Sequence, residues 1–439
     1  MSAPAYCRAL LASIAWFAAA QATVFAQAPA RELREVVVAK AEPGEVVCSA
    51  TNYAKGVVRG RDGAWWLMLS RLAAAGGEGA KQAWRVELWR SVDGMQWEQR
   101  AICPLANASC GSIVADALLP QLHLLLAVAA EGKWSEPWHV AFDVEKGEWV
   151  GSPSQLAVAT GDEDQYFASD IDCTKSGTLV AVIGSHRNPL SKGWNGGWAS
   201  GIRARKPQST DWSELVAVNV ASYGVASNLA SRGDFVDCSY RTCPFGAIVG
   251  IRTWDAEKGA FVQPADECAN GVLDESQGVC NSSVVCADTT GGRYVMFVVG
   301  AWSAGAGRLC VSYCGPDATE WTRKDVAEDA PLQHGNESYA HFALARGAGN
   351  QIVAFYAKAS EDHANLYQRV FDSGELVGEE KLVARDEAGA FFSVSGNKQQ
   401  DLRPGIQLVA TRTSKSLARA SVMVYGILPA PMPKPRVVR

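Results

Sequence analysis

The sequence predicts an all-β chain folded as a seven-bladed β-propeller of four-stranded antiparallel blades, and three observations lead there. Buried runs of strand-type residues begin at nearly constant intervals. Each run is followed by strands in which apolar and polar residues alternate. One hairpin between two such strands has a strong Asp-Gly turn signal. A helical solenoid would need apolar stripes at 3.6-residue spacing, and none of useful length is found.

The repeat is visible in the starting positions of the buried runs. These runs begin at Ala64, Gln121, Thr178, Asp234, Arg293, Gln351 and Ile406, so the intervals are 57, 57, 56, 59, 58 and 55 residues. A period this steady, built from strand residues, is typical of a propeller or a repeat array. A shorter strand precedes each run and two strands follow it, which gives the four strands of a blade.

The seventh repeat lacks an outer strand, because Leu428-Pro429-Ala430-Pro431 follows its third strand. The segment Leu33 to Ala39 alternates like a strand and is expected to pair with the last repeat, closing the ring. Closure removes open sheet edges that invite aggregation. The propeller domain is therefore predicted over residues 29–428, followed by a Pro-rich, basic, disordered tail over 429–439.

One hairpin motif lies on the strands from Trp84 to Glu98. In it, Ser91, Asp93, Gly94 and Trp97 stand in an order that resembles the Asp-box, or BNR, hairpin of the sialidase superfamily. A degraded copy keeps Asp317 and Trp321 at the same separation. In that family the motif is peripheral and structural, so these residues are expected to hold outer hairpins in shape.

The resemblance implies a ligand site at the central funnel, where the inner strands begin. Sialidases place an aromatic-Arg-Ile-Pro segment in the first blade; the matching residues here include Tyr53 and Lys55, with Ala54 in place of the Arg. Lys55 offers a charge without the bidentate geometry of Arg. Sialidases also usually have six blades, which keeps a six-bladed ring open as an alternative.

Other polar residues near the predicted starts of inner strands are candidates for ligand binding or catalysis. Asp164 and Asp170 lie in the densest acidic stretch, where Asp170 is a candidate general acid and the carboxylates could hold a structural Ca²⁺. A solvated loop that links two blades is the alternative. No other cofactor and no other metal site is predicted.

A second group precedes the sixth blade. Glu337 and Tyr339 are weak candidates for a sialidase-type Tyr nucleophile with its Glu, and His341 is a candidate ligand contact. An ordinary inner strand with polar ends is the alternative. Trp194 and Trp198, on a Gly-rich insert of the third blade, could stack on a sugar ring or form the core of a packed loop.

The N-terminal residues and the net charge indicate the compartment of the chain and its class of partner. Residues 1–28 combine Arg8, the apolar run from Ala9 to Ala20 and the cleavage site Ala26-Gln27-Ala28, a pattern typical of a signal peptide. The mature chain is therefore expected to be secreted or periplasmic, with no integral membrane segment. Its net charge of −5 argues against nucleic acid as a partner.

Of the twelve cysteines, eleven remain once the predicted signal peptide removes Cys7, and they agree with an oxidising compartment. Three disulfides between cysteines close in sequence are predicted: Cys103 with Cys110, Cys238 with Cys243, and Cys268 with Cys280. The partners of Cys48, Cys173, Cys286, Cys310 and Cys314 stay open.

Taken together, the sequence predicts a secreted, monomeric, sialidase-like propeller that binds a glycan or a protein at its funnel. An exo-acting glycoside hydrolase of the exo-α-sialidase type is the first alternative. A scaffold of a surface or periplasmic assembly is the second.

Overall fold

The structure is a computed structural model that describes residues 33–49, 55–72, 83–129, 135–158, 165–186, 198–219, 227–241, 249–262, 279–299, 306–331, 342–359, 364–386, 389–399, 405–414 and 420–428. The predicted signal peptide and the predicted C-terminal tail lie outside these residues. No helix in the described part of the chain is long and apolar enough to cross a membrane.

Seven antiparallel sheets form a ring, which confirms the predicted seven-bladed β-propeller and excludes the six-bladed alternative. The N-terminal strand is β1 (Arg34–Lys40). Blade 1 contains β2 (Val46–Ser49), β3 (Val57–Arg59), β4 (Trp65–Leu72), β5 (Trp84–Ser91) and β6 (Glu98–Ile102). Blade 2 contains β7 (Ala108–Ala115), β8 (Gln121–Ala129), β9 (Ser135–Asp143) and β10 (Glu148–Gln155). Blade 3 contains β11 (Gln165–Cys173), β12 (Leu179–His186), β13 (Trp198–Arg205) and β14 (Val216–Asn219).

The remaining four blades follow the same plan. Blade 4 contains β15 (Asn228–Arg232), β16 (Phe235–Arg241), β17 (Val249–Asp255) and β18 (Ala260–Phe261). Blade 5 contains β19 (Val279–Ala287), β20 (Arg293–Val299), β21 (Ala306–Cys314) and β22 (Thr322–Pro331). Blade 6 contains β23 (Phe342–Arg346), β24 (Gln351–Ala359), β25 (Ala364–Asp372) and β26 (Glu375–Asp386). Blade 7 contains β27 (Gly389–Gly396), β28 (Ile406–Ser414) and β29 (Ser421–Gly426).

The core is distributed among the junctions between blades. Seven clusters of buried apolar side chains are found among the described residues, and each lies between two neighbouring blades. In every blade except blade 4, the second strand supplies residues to the clusters on both of its faces, because it is covered on both sides. This is why those strands read as continuous apolar runs in the sequence.

The N-terminal strand closes the ring as predicted. Strand β1 pairs antiparallel with β29, from Arg34 opposite Gly426 to Lys40 opposite Ser421. Its Val38 and Ala39 are buried in the cluster between blades 7 and 1. Strand β1 therefore provides the fourth strand that the seventh repeat lacks.

The inner strand of blade 1 is interrupted, unlike that of the other blades. Ser49 on β2 stands opposite Leu69, and Val57 on β3 stands opposite Leu67. Ser49 and Val57 are eight positions apart in the chain, whereas their partners on β4 are two apart. The Met68 amide N–H donates to the carbonyl of Gly56 over 3.0 Å. Between Ser49 and Val57 the structure describes Lys55 and Gly56.

The predicted Asp-box hairpin has the hydrogen bonds that its sequence requires. The Asp93 carboxylate accepts the amide N–H groups of Met95 and Gln96 at 2.8 and 3.0 Å, and Ser91 Oγ accepts that of Gly94 at 2.8 Å. Gly94 has a φ of +77°. The Trp97 indole N–H donates to the Gly94 carbonyl at 3.0 Å, which places the ring beneath the turn.

The degraded copy is a turn of a different kind. The Ala318 amide donates to the Gly315 carbonyl at 3.2 Å, and no hydrogen bond of the Asp317 carboxylate is found within the described residues. Trp321 is packed against the cluster between blades 4 and 5, and the Arg293 guanidinium lies 5.1 Å from its ring centre. Both hairpins join the third strand of a blade to its outer strand.

The cysteines differ from the predicted pattern where the structure describes them. Cys103 and Cys110 are both buried free thiols, so the predicted disulfide between them is not formed. The reason is geometric: Cys103 follows the outer strand of blade 1, whereas Cys110 lies on the inner strand of blade 2. Cys238 is also a buried free thiol; Cys243 and Cys268 lie outside the described residues, as does the side chain of Cys280.

Candidate functional site

The structure describes some of the predicted site residues and not others. Lys55 and Asp170 lie together on the propeller axis. Trp198 begins β13, opposite His186. The remaining candidates lie outside the described residues; they are Tyr53, Asp164, Trp194, Glu337, Tyr339 and His341.

Five buried polar side chains meet at the axis and are named here the axial charge cluster. They are Lys55, Asp170, Asp172, Asn228 and Lys398, and they come from blades 1, 3, 4 and 7. The Lys55 ammonium lies 3.2 Å from Asp170 Oδ1 and 3.3 Å from Asp172 Oδ2. The interruption between β2 and β3 brings Lys55 to this position, and alternation along β11 directs both carboxylates to one side.

Asp170 uses both carboxylate oxygens to connect neighbouring blades. Its Oδ1 accepts the hydroxyl of Ser112 on blade 2, close to the Lys55 ammonium. Its Oδ2 accepts the Asn228 side-chain amide at 2.9 Å and the Leu229 N–H at 2.8 Å, both on blade 4. With its acceptor positions occupied and its side chain fully buried, Asp170 is better suited to orienting its neighbours than to the predicted role of general acid.

Lys398 enters the cluster from the connection after β27. Its ammonium donates to the side-chain oxygen of Asn228 and to the Leu229 carbonyl, the latter over 3.4 Å. Among the described residues, no carboxylate oxygen lies within 4.0 Å of this ammonium, the limit for an ion pair. Lys398 is therefore a buried cation whose direct partners are neutral oxygens.

The pKa values of the two lysines are shifted in opposite directions. Burial lowers the pKa of Lys55, but Asp170 and Asp172 outweigh this effect, so that its pKa is raised above the ordinary value. Burial lowers the pKa of Lys398 to about 8, and Asp170 offsets only part of that effect. Lys55 thus stays protonated, whereas Lys398 changes its charge near neutral pH.

A third cation lies beside the cluster. Burial lowers the pKa of Arg346, at the end of β23, and its guanidinium interacts with Cys286, Asp172 and Asp288. Its Nε and Nη1 atoms are buried and have no hydrogen-bond partner among the described residues. The described axis therefore holds two cations, Lys398 and Arg346, that have no ion pair with a described carboxylate, beside a lysine that two carboxylates neutralise.

The arrangement is suited to recognising an acidic, hydroxylated ligand. Rigid ammonium, amide and hydroxyl groups are the polar groups that fix the orientation of a ligand in a pocket. The sequence identified Lys55 and Asp170, but not Asn228 or Lys398 as ligand contacts. A lysine in a polar segment such as Asn397-Lys398-Gln399 looks like a solvated loop residue, and no local pattern shows that it reaches the axis.

Three arginines on the third strands of their blades do not lie at the axis. Arg203, Arg252 and Arg308 are on β13, β17 and β21. Arg252 donates to the Val218 carbonyl at 3.0 Å, and Arg308 pairs with Asp325 at 3.1 Å. They belong to the blade packing and the outer surface.

No group of three or more His, Cys, Asp or Glu side chains is arranged to hold a metal ion within the described ranges. The proposed Ca²⁺ at the acidic stretch would depend on Asp164, which those ranges do not include.

Comparisons with known proteins support the fold. No protein-family model and no curated protein sequence matches the chain. Among solved structures, an ulvan lyase of polysaccharide lyase family PL25, bound to -[GlcA(1-4)Rha3S]-, is 11% identical with a TM-score of 0.56, over 89% of this chain and 98% of that one.

Two further structures resemble the chain less. The polysaccharide lyase Uly1 is 9% identical with a TM-score of 0.49, over 90% of this chain and 99% of that one. A mutant Trypanosoma rangeli sialidase displaying trans-sialidase activity is 8% identical with a TM-score of 0.43, over 89% and 60%. At these identities the likeness extends to the propeller fold alone.

Proposed function

We propose that this propeller binds an acidic glycan at its central funnel, over the axial charge cluster. The observation that supports the proposal is Lys398, a buried ammonium at the axis with no carboxylate partner among the described residues. A uronate carboxylate or a sugar sulfate would supply that partner, and a charge-assisted hydrogen bond of this kind is among the stronger ones in proteins.

The other groups of the cluster fit the same ligand class. Asp170 holds Asn228 in place, and Asn228 in turn positions the Lys398 ammonium. Because Lys55 is neutralised by two aspartates, it provides structure rather than free charge. The lyase with the highest TM-score among those described above was itself bound to -[GlcA(1-4)Rha3S]-; that ligand serves as the first probe.

The proposal is tested by comparing glycan binding of the wild-type chain with that of Lys398→Met. An array of neutral and acidic oligosaccharides selects the probe, and titration calorimetry measures the dissociation constant. Loss of one charge-assisted contact is expected to weaken binding roughly 10- to 100-fold. Lys146→Met is the matched control, since Lys146 is 73% exposed on an outer hairpin and its replacement is expected to leave binding unchanged.

The pH dependence of binding provides a second readout. A ligand that needs the Lys398 ammonium is expected to bind progressively more weakly as the pH rises through about 8. Equal binding of neutral and acidic glycans, or equal affinity of wild type and Lys398→Met, would overturn the proposal.

The exo-glycosidase alternative predicts turnover instead of binding alone. It rests on the Asp-box resemblance and requires Glu337 and Tyr339 to act with an anion clamp. Release of a fluorogenic sialoside by the purified chain tests it directly. Turnover that is lost in Tyr339→Phe would favour this alternative over a binding protein.

A further inference from the structure

We propose that Cys48 and Cys110 form a disulfide that joins blade 1 to blade 2 when the chain folds in an oxidising environment. Both are free thiols in the structure, and they belong to different blades. The pairing differs from the Cys103–Cys110 disulfide that the sequence suggests. It follows from the face of blade 1 on which Cys48 lies and from the position of Ser70.

The side chains of Cys48 and Cys110 lie on facing surfaces of the same junction. On β2, Val47 is buried in the cluster between blades 7 and 1, so its neighbour Cys48 points the other way, toward blade 2. On β4, Leu69 belongs to that same cluster, whereas Ser70 points toward blade 2. Cys110, on the inner strand of blade 2, is buried in the cluster between blades 1 and 2.

Ser70 lies next to both cysteines. Cys48 stands directly opposite Ser70 in the sheet of blade 1. The Cys110 amide donates to Ser70 Oγ at 2.7 Å. Ser70 therefore adjoins Cys48 along the sheet and Cys110 across the junction, which brings the two cysteines beside the same side chain.

Cys103 occupies the same face of blade 1 but lies farther away. Its amide donates to the Val86 carbonyl, and Val86 stands opposite Ser70, so a row across the sheet runs Cys48, Ser70, Val86, Cys103. With strands about 4.8 Å apart, Cys48 is one strand from Ser70 and Cys103 is two. Cys48 is thus nearer than Cys103 to the point where Cys110 contacts blade 1, and a disulfide needs Cα atoms no more than about 6.8 Å apart.

The reaction is a two-electron oxidation by a disulfide-type oxidant. The Cys48 and Cys110 thiols lose two protons and two electrons as the S–S bond forms. The disulfide of the oxidant accepts both and leaves as two thiols. Burial raises the pKa of both thiols, so the reaction is expected to be slow in the folded chain and to occur mainly during folding.

Peptide mapping distinguishes the two pairings without any variant. The full chain is refolded from the reduced state in a buffer of oxidised and reduced glutathione, free thiols are alkylated, and the protein is cleaved with trypsin without reduction. Cys103 and Cys110 share the tryptic peptide 101–133, whereas Cys48 lies on the peptide 41–55. A Cys48–Cys110 bond therefore links two peptides, and a Cys103–Cys110 bond only removes two hydrogens from one.

We expect the linked pair of peptides in wild type and in Cys103→Ser, and its complete loss in Cys48→Ser, in which Cys110 becomes alkylated. Recovery of the oxidised single peptide 101–133, or alkylation of all three cysteines after refolding, would overturn the proposal. A Cys48–Cys103 bond would link the same two peptides, so fragment ions of the linked pair must place the alkylated cysteine at 103. Alkylation at 110 instead would also overturn the proposal. Because the wild-type map with its fragment ions decides between all these outcomes, a folding defect of either variant does not affect the conclusion.

Discussion

Asp170 connects blades 1, 2 and 4 to its own blade 3 at the axis through its carboxylate. The carboxylate binds the Lys55 ammonium, the Ser112 hydroxyl and the Asn228 amide, all of which belong to buried residues. Removing one partner of a buried ion pair is costly, because the other charge remains buried without compensation.

We therefore predict that Asp170→Asn destabilises the propeller by about 3–5 kcal/mol, because Lys55 then keeps only Asp172 as its counter-charge. Urea unfolding followed by tryptophan fluorescence measures the change. Asp211→Asn, at an exposed position in the connection after β13, is the control and is expected to change stability by less than about 0.5 kcal/mol. A loss in Asp170→Asn as small as in the control would contradict the role assigned to the carboxylate.

A second residue-scale feature lies away from the axis, between blades 2 and 3. His123 Nε2 is 3.0 Å from Asp116 Oδ2, and His123 Nδ1 is 3.1 Å from His139 Nε2. Burial lowers the pKa of both histidines, with His123 and Arg205 lowering that of His139 further. The folded chain therefore holds His139 neutral at pH values where the unfolded chain protonates it.

The sign of the pH effect follows from this difference. Below the unfolded value of 6.5 the unfolded state binds more protons, so stability falls with falling pH by up to about 1.4 kcal/mol per pH unit for each histidine. In His139→Gln we predict that the free energy of unfolding declines less steeply between pH 6.5 and 5 than in wild type. Parallel curves for the two proteins would contradict this interpretation, since the carboxylates contribute equally to both.

At the scale of single elements, the hairpin at Asp93 and the turn at Asp317 are similar in sequence but differ in their hydrogen bonds. Asp93 accepts two amide N–H groups and the Ser91 hydroxyl, and hydrogen bonding lowers its pKa against the opposing effect of burial. Asp317 occupies the equivalent position of a turn in which Gly315 and Ala318 replace the Ser and the Gly. The Ser and Gly are thus as necessary as the Asp for the complete turn.

The hairpins provide an internal comparison. We predict that Asp93→Ala destabilises the chain by about 2 kcal/mol, the value of a few hydrogen bonds, whereas Asp317→Ala changes stability by less than about 0.5 kcal/mol. Thermal unfolding of the two variants beside wild type measures the difference. If both substitutions cost the same, the hydrogen bonds at Asp93 do not stabilise the hairpin as described.

At the scale of the whole molecule, the repeat predicted the ring because each blade is encoded locally. A buried second strand and alternating neighbours recur about every 57 residues, and the short turns between them join adjacent strands. The position of β1 was predictable for the same reason, since the last repeat lacks one strand. These features depend on residues close together in the sequence.

The axial charge cluster depends on residues far apart in the chain, and this is why only part of it could be predicted. Lys398 and Asn228 are 170 positions apart, and only closure of the ring brings them together. Lys55 was identified by a family resemblance, but its two aspartate partners follow from the interrupted inner strand, which no local pattern shows. The Cys103–Cys110 disulfide was predicted because the two cysteines are close in sequence. It is not formed, because they lie on different blades, on opposite sides of a junction.

Strand β1 is expected to hold the ring closed. A chain that begins at Ala41 lacks β1, so the edge of β29 loses its hydrogen-bond partners and the cluster between blades 7 and 1 loses Val38 and Ala39. We expect a loss on the order of 5 kcal/mol and association through the open edge. Thermal unfolding and size-exclusion chromatography measure both, with a chain that begins at Leu33 as control. A monomeric truncated chain as stable as the control would show that β1 does not hold the ring closed.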